Sequence, residues 1–302
     1  MTRQERMAIR AERVKARDIR INARKEQEKK LELKEQNPKV NEAETNDEST
    51  VIISKELPIL IPDGKLTIEI CIHCFRYQRR LTWMLSSIFQ QKGDVPNIIV
   101  NISHTDNDGT PTTEEVCNFF RSKGLNIVET KVTEKEVSNR AVARNKQSTA
   151  TTADWILFAD SDMVYSEDFF DDLQKKLKTI LKDVELVMGA DRYSLNDQFC
   201  IDYFEKDKTV YPCIIENVGK IASEFPVKRK CGSGIAPGNF QLISGKVLKD
   251  KCKGKITDRP GDHWRRTKGD RALRVRVGGR VGIETKEQYH LNHDRGGPDI
   301  QR

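Results

Sequence analysis

No stretch of the chain approaches the roughly 18 uncharged apolar residues that a membrane span requires, and its first residues hold no apolar core of an export signal. The expectation is a soluble, cytoplasmic protein, in the host cytoplasm if the protein is viral. Glycine-rich phosphate loops of both common types are missing, which excludes a dinucleotide-binding oxidoreductase and a P-loop enzyme. Neither a Gly-x-Ser-x-Gly elbow nor a Cys/His signature is evident, so no covalent nucleophile is called for. The seven cysteines are an odd, scattered set and read as reduced thiols. Cys71 and Cys74 flank His73 at zinc-knuckle spacing, but no second pair matches them. Apolar residues make up only 36% of the 302, against 33% charged, so part of the length lies outside any core.

Charge is the first thing present in quantity. Residues 1–36 carry twelve Lys or Arg against seven Asp or Glu, a net of +5 within a chain total of +7. They hold no Gly, Pro or aromatic residue, which is good helix composition, but their apolar positions keep no sustained heptad. A charged helical arm with its linker is expected over 1–47, able to lie on DNA or on an anionic membrane surface, or to stand as a solvated helix. The folded domain is expected over 51–302. A second basic stretch, 259–280, carries eight Lys or Arg against Asp262 and Asp270, a net of +6.

Within the domain, strand and helix patterns alternate. Strands are expected at 66–71, 98–102, 126–131 and 155–158, with helices between them at 81–89, from 113, and at 139–149. Four such alternations predict an α/β fold with a mostly parallel sheet flanked by helices. Beyond 162 the pattern loosens, with a helix expected at 169–181, strands at 185–190 and 239–243, and a short helix at 245–249.

The fourth strand is the centre of the functional argument. Trp155-Ile156-Leu157-Phe158 runs straight into Ala159-Asp160-Ser161-Asp162. In an extended chain residues i and i+2 point the same way, so two carboxylates would crowd one spot and repel unless a cation sits between them. Mg²⁺ or Mn²⁺ suits such a place, because hard cations take oxygen ligands and share their shell with substrate phosphates. The plainer alternative is a polar turn that caps the next helix. Arg140 and Arg144, one helical turn apart, are placed to meet phosphate or to form a surface ion pair.

In order of motifs the chain resembles the family 2 glycosyltransferases of the GT-A fold, over about 66–293. The residues that carry the likeness are the opening strand with 76–91, the strand at 98–102 running into Asp108-Gly109-Thr110, the Asn139-Arg140-Ala141-Val142-Ala143-Arg144-Asn145 helix start, the Asp-x-Asp and Gly232-Ser233-Gly234. The resemblance implies a Rossmann-like GT-A domain with a donor half at about 66–165 and an acceptor half at about 166–302. It implies Asp160 and Asp162 holding Mn²⁺ or Mg²⁺ on a UDP- or GDP-type nucleotide-sugar, with His290 or His293 completing the shell. It further implies Asp106, Asp108, Arg140, Arg144, Asn145 and Asp160 around the donor, and Asp270, or second Asp262, as general base. The acceptor would be a glycan or a nucleic acid, the latter as a modified base in DNA of the phage type. Two departures stand out. The family's paired acids after the second strand are replaced by Ile102-Ser103-His104, and the Pro after the first strand by His73-Cys74-Phe75. Other functions weighed are a nucleotidyltransferase on a similar sheet and a non-catalytic nucleic-acid-binding module.

Overall fold

Six residues, Trp155–Asp160, form a strand (β4) buried along nearly its whole length, as their unbroken apolar run requires of a strand covered on both faces. The computed structural model describes residues 64–137, 139–179, 186–189, 192–196, 209–231, 240–257 and 281–291, together with a few isolated positions that include Cys200, Tyr203, Leu273 and Val277. All of these fall in one compact unit, Leu57–Arg302. The arm and linker at 1–47, the domain start at 51, the 232–234 turn, the basic stretch 259–280 apart from Leu273 and Val277, with Asp262 and Asp270, and His293 lie outside the described residues.

Around β4 stand β1 (Thr67–His73), β2 (Asn97–His104) and β3 (Ile127–Lys131), all parallel to it. The helices between are α1 (Gln78–Phe89), α2 (Thr113–Ser122), α3 (Glu134–Val137) and α4 (Arg140–Ala150). After β5 (Met163–Tyr165) and α5 (Phe169–Thr179) come β6 (Leu186–Gly189), β7 (Arg192–Leu195), α6 (Val218–Glu224) and β8 (Val227–Cys231). The described chain then forms β9 (Phe240–Ser244), α7 (Gly245–Cys252), β10 (Val281–Ile283) and β11 (Gln288–His290). The main sheet has seven strands in the order β10-β6-β9-β4-β1-β2-β3, with β9 its antiparallel member. This is the GT-A-like α/β architecture, a mostly parallel sheet flanked by helices.

The strand order fixes where a ligand belongs. From β1 the chain winds outward to β2 and β3 on one side, then returns to place β4 on the other. The crevice of such a sheet opens past the carboxyl ends of the strands at that reversal. There His73 of β1 is in register with Asp160 of β4.

Alternation along β1 separates two cores. Ile68, Ile70, Ile72 and Cys74 join the core under α1, α2 and α5, whereas Cys71 faces a second one with Ile156, Phe158 and Leu248. The two thiols therefore lie in different cores and cannot share a zinc ion. Cys71, Cys74, Cys117, Cys200, Cys213 and Cys252 carry free thiols. On the α4 side a buried polar group pins the helix: the Gln147 amide donates to the carbonyls of Ile72 (2.8 Å) and Asn101 (2.7 Å), and Asn101 donates to Glu69 at 2.7 Å. These buried bonds tie α4 to β1 and β2, and the helix starts beside the end of β4, where Arg140 reaches Asp160. At the other end of β4, a Cβ on Gly245 would stand 2.1 Å from the Ala153 carbonyl oxygen, so only glycine lets β9 and α7 approach.

Several elements depart from the sequence expectation. The α2 cap is Thr112, one residue before the expected start, in a reciprocal pair with Glu115. The chain also builds α3 and α6. Most consequential is a second sheet, ordered β5-β11-β7-β8, drawn from strands far apart in sequence.

Candidate metal and nucleotide site

Asp160 and Asp162 do not extend along one strand. Asp160 ends β4, residues 161–162 turn, and Met163 opens β5 in the second sheet. The two acids thus flank the point where the chain changes sheets. Asp162 is held there from across the molecule. β11 pairs with β5, His290 opposite Met163, and the Leu291 amide donates to the Asp162 carbonyl at 2.8 Å. The same pairing sets the His290 Nε2 3.2 Å from Asp162 Oδ2. His290, expected near the metal, is therefore brought to the acids.

Asp160 is engaged from α4. Arg140 Nη1 donates to Asp160 Oδ1 at 2.7 Å and Arg144 Nη2 to the same oxygen at 3.3 Å. Burial works to raise the Asp160 carboxyl, but the two guanidiniums outweigh it and hold it below its ordinary value. Burial first, and then the charge of Arg140, push His73 down to about 3, so its ring is neutral at physiological pH. Asp162 is 5% exposed, and its charge also acts on Tyr77, which burial chiefly pushes up to about 12, and on the buried Arg80 of α1.

Beside this corner, at the ends of β1, β2 and β3, lies a cleft of about 530 Å³ lined by Phe75, Arg76, Asp106, Lys131, Glu136 and Lys146 among others. That size suits a nucleotide-scale ligand. Asp106, expected at the donor, is on its rim, exposed and paired with Lys131 at 2.8 Å.

Three residues expected at the donor have protein partners of their own in this structure. Asp108 borders the cleft, but its carboxylate is occupied by the start of α2: Oδ1 accepts from the Thr113 amide (2.9 Å) and Oδ2 from the Thr113 hydroxyl (2.6 Å). Asn145 instead ties α4 to a distant loop, donating to the Thr257 carbonyl at 2.8 Å and accepting from the Ile256 amide at 2.8 Å. Arg144 is buried behind Asp160 with its guanidinium 5.4 Å from the Phe158 ring centre, so it orients the acid and does not reach out to phosphate. Sequence reasoning missed Arg80, Tyr77 and His73. The Arg79-Arg80 pair at the head of α1, and a histidine directly after an apolar strand, were the available signals.

Two carboxylates and an imidazole at one corner are chemically suited to a hard divalent cation. Among the described residues no three His, Cys, Asp or Glu side chains form a cage of their own. An ion held by these acids would take most of its shell from phosphate and water, as Mg²⁺ commonly does.

A mostly parallel sheet flanked by helices, with acids at its reversal point, is the arrangement of the GT-A fold. The sequence model of Glycosyl transferase family 2 matches residues 69–219, half of the chain. The chain belongs to that family. By structure it is similar to residues 1–349 of S. aureus TarS in complex with UDP, at 12% identity and a TM-score of 0.50, covering 76% of this chain and 61% of that one. It is also similar to the mannosyltransferase PcManGT from Pyrobaculum calidifontis in complex with GDP-Man and Mn²⁺, at 14% identity and a TM-score of 0.50, covering 80% and 62%. The chain thus spans about three fifths of the length of these structures. No curated protein matches it in sequence. Among the described residues no helix is long and apolar enough to cross a membrane.

Proposed function

We propose that this chain is a metal-dependent, inverting glycosyltransferase that moves a hexose or pentose from a UDP- or GDP-sugar to an acceptor hydroxyl. The observation that carries the reading is the Asp162–His290 contact at 3.2 Å, two residues beyond Asp160, at the switch point of a family 2 sheet. Asp160, Asp162 and His290 would hold Mn²⁺ or Mg²⁺, with His293 the further candidate. A cation bound there would act as a Lewis acid on the leaving diphosphate. Asp106 and the cleft at the ends of β1 to β3 would take the nucleoside. The complexes of TarS with UDP and of PcManGT with GDP-Man and Mn²⁺ support this kind of donor.

Asp270, or Asp262 in its place, takes the proton of the acceptor hydroxyl. The acceptor oxygen then bonds to the anomeric carbon from the face opposite the breaking bond to diphosphate. The products are an inverted glycoside and a nucleoside diphosphate.

Incubation with a panel of nucleotide-sugars and Mn²⁺, read by nucleoside diphosphate release and by the anomeric proton coupling of the product, tests this. Pyrophosphate released from a triphosphate would instead mark a nucleotidyltransferase and overturn the reading. A donor present at a hundred times its dissociation constant should add about 2.7 kcal/mol to stability, which a thermal shift detects.

For the acceptor, one observation favours nucleic acid over a glycan: the net +5 of residues 1–36 and +6 of 259–280. DNA carrying a modified base would then bind with an affinity that falls by several decades over a fourfold rise in salt. An affinity indifferent to salt would leave the glycan.

A further inference from the structure

Asp160 is asked to hold a cation, yet its Oδ1 already accepts from two guanidiniums. The two arginines differ in one decisive respect. The Arg144 side chain is 1% exposed and boxed against Phe158, while that of Arg140 is 32% exposed at the first position of α4. A divalent ion arriving at the same carboxylate meets both positive charges at contact range, and like charges so close repel strongly. Crowding of this kind favours release of the more accessible side chain, which is Arg140. Its long stem starts at the helix end facing the crevice, where a diphosphate on the ion would bring fresh negative charge. Arginine's planar fork matches phosphate oxygens as well as it matches a carboxylate.

We propose that Arg140 is a resident counter-ion: it neutralises Asp160 in the metal-free protein, and moves from the carboxylate to the donor diphosphate when a divalent ion takes its place. The inference rests on the reading of Asp160 as a metal ligand. Its consequence is that metal and nucleotide bind as a pair. Metal alone must draw Arg140 from this carboxylate, whereas metal with nucleoside diphosphate offers it phosphate oxygens in exchange. By linkage the nucleotide raises metal affinity by the same factor as metal raises nucleotide affinity, in the range of about 5- to 150-fold for ordinary coupled sites.

The test uses the full chain and titrates Mn²⁺, followed by the electron paramagnetic resonance of the free ion, with and without UDP or GDP. Wild-type protein is compared with Arg140→Gln. The variant should bind Mn²⁺ alone more tightly than wild type, bind the nucleotide more weakly, and lose most of the coupling between them. If Mn²⁺ binding weakens in both conditions, Arg140 merely orders Asp160 and the proposal falls. No change in either affinity makes the contact an incidental ion pair, and the proposal falls equally. Wild-type protein that binds no Mn²⁺ with either nucleotide overturns the metal reading itself and this inference with it, and that failure is recognised because it occurs without mutation. Arg140→Lys keeps the charge without the fork and repeats the test at smaller amplitude should the Gln variant fail to fold.

Discussion

The two sheets contribute to one corner by opposite means. The seven-stranded sheet delivers Asp160 by local logic: an apolar run, a helix before it, and a parallel neighbour, β1, with an apolar run of its own. The four-stranded sheet delivers His290 to Asp162 by joining β11 to β5 across more than a hundred residues. A site that straddles the two can therefore be damaged in two ways, through its chemistry or through the weaker of its supports.

The largest effects should come from the acids themselves. Asp162→Asn is expected to lower Mn²⁺ affinity in the presence of nucleotide by more than the about 10- to 100-fold that loss of a mere supporting group costs, read by the same resonance titration. Asp270→Asn should slow transfer by about 10²- to 10⁴-fold while leaving donor binding intact, with Asp262→Asn much milder. Equal losses from the two would leave the base unassigned.

Damage to the supports should separate the sheets. Leu157→Ala, in the middle of β4 and fully buried, is expected to cost about 2–5 kcal/mol in urea unfolding. Tyr289→Ala removes a ring stacked 5.7 Å from Tyr193 within the smaller core. It should weaken metal binding more, relative to its cost in global stability, than Leu157→Ala does. Equal ratios would mean that the two sheets open as one unit. Arg144→Met leaves Asp160 with Arg140 and partial solvent exposure, so about 1–3 kcal/mol should be lost.

The smallest effect is one of pH. His73 has a folded value of about 3, below the roughly 6.5 of an unfolded histidine, so the unfolded chain binds the proton more readily. Stability should be full above about pH 6.5 and decline as pH falls toward 3, and His73→Asn should flatten the decline between about 4 and 6.5. The ring keeps some contact with solvent, which makes the loss smaller than full burial would give.

Much of the first sheet was legible because its signals are local. The apolar runs of β1, β2 and β4 and the spacing of α1 and α5 lie within a dozen residues, and the expected bounds agree with the observed ones to within a few positions. The Asp-x-Asp was visible, but its geometry was not. Reading i and i+2 on one strand missed the change of sheet, because three-residue strands such as β5 and β11 have too little length to show alternation. The partners of Asp108 and Asn145 were hidden for a related reason. Both side chains are polar and sit in the right order, yet backbone amides claimed them first, and competition for a hydrogen-bond partner is settled in three dimensions.

The bond from the Leu291 amide to the Asp162 carbonyl gives this arrangement a built-in gauge. A strand of three residues should fray more readily than the seven-stranded sheet, so that amide should trade its hydrogen for deuterium earlier than those of β1 or β4. Its exchange rate would report how often the imidazole drifts from its acid, and any ligand that bridges the two should slow the clock at that single position.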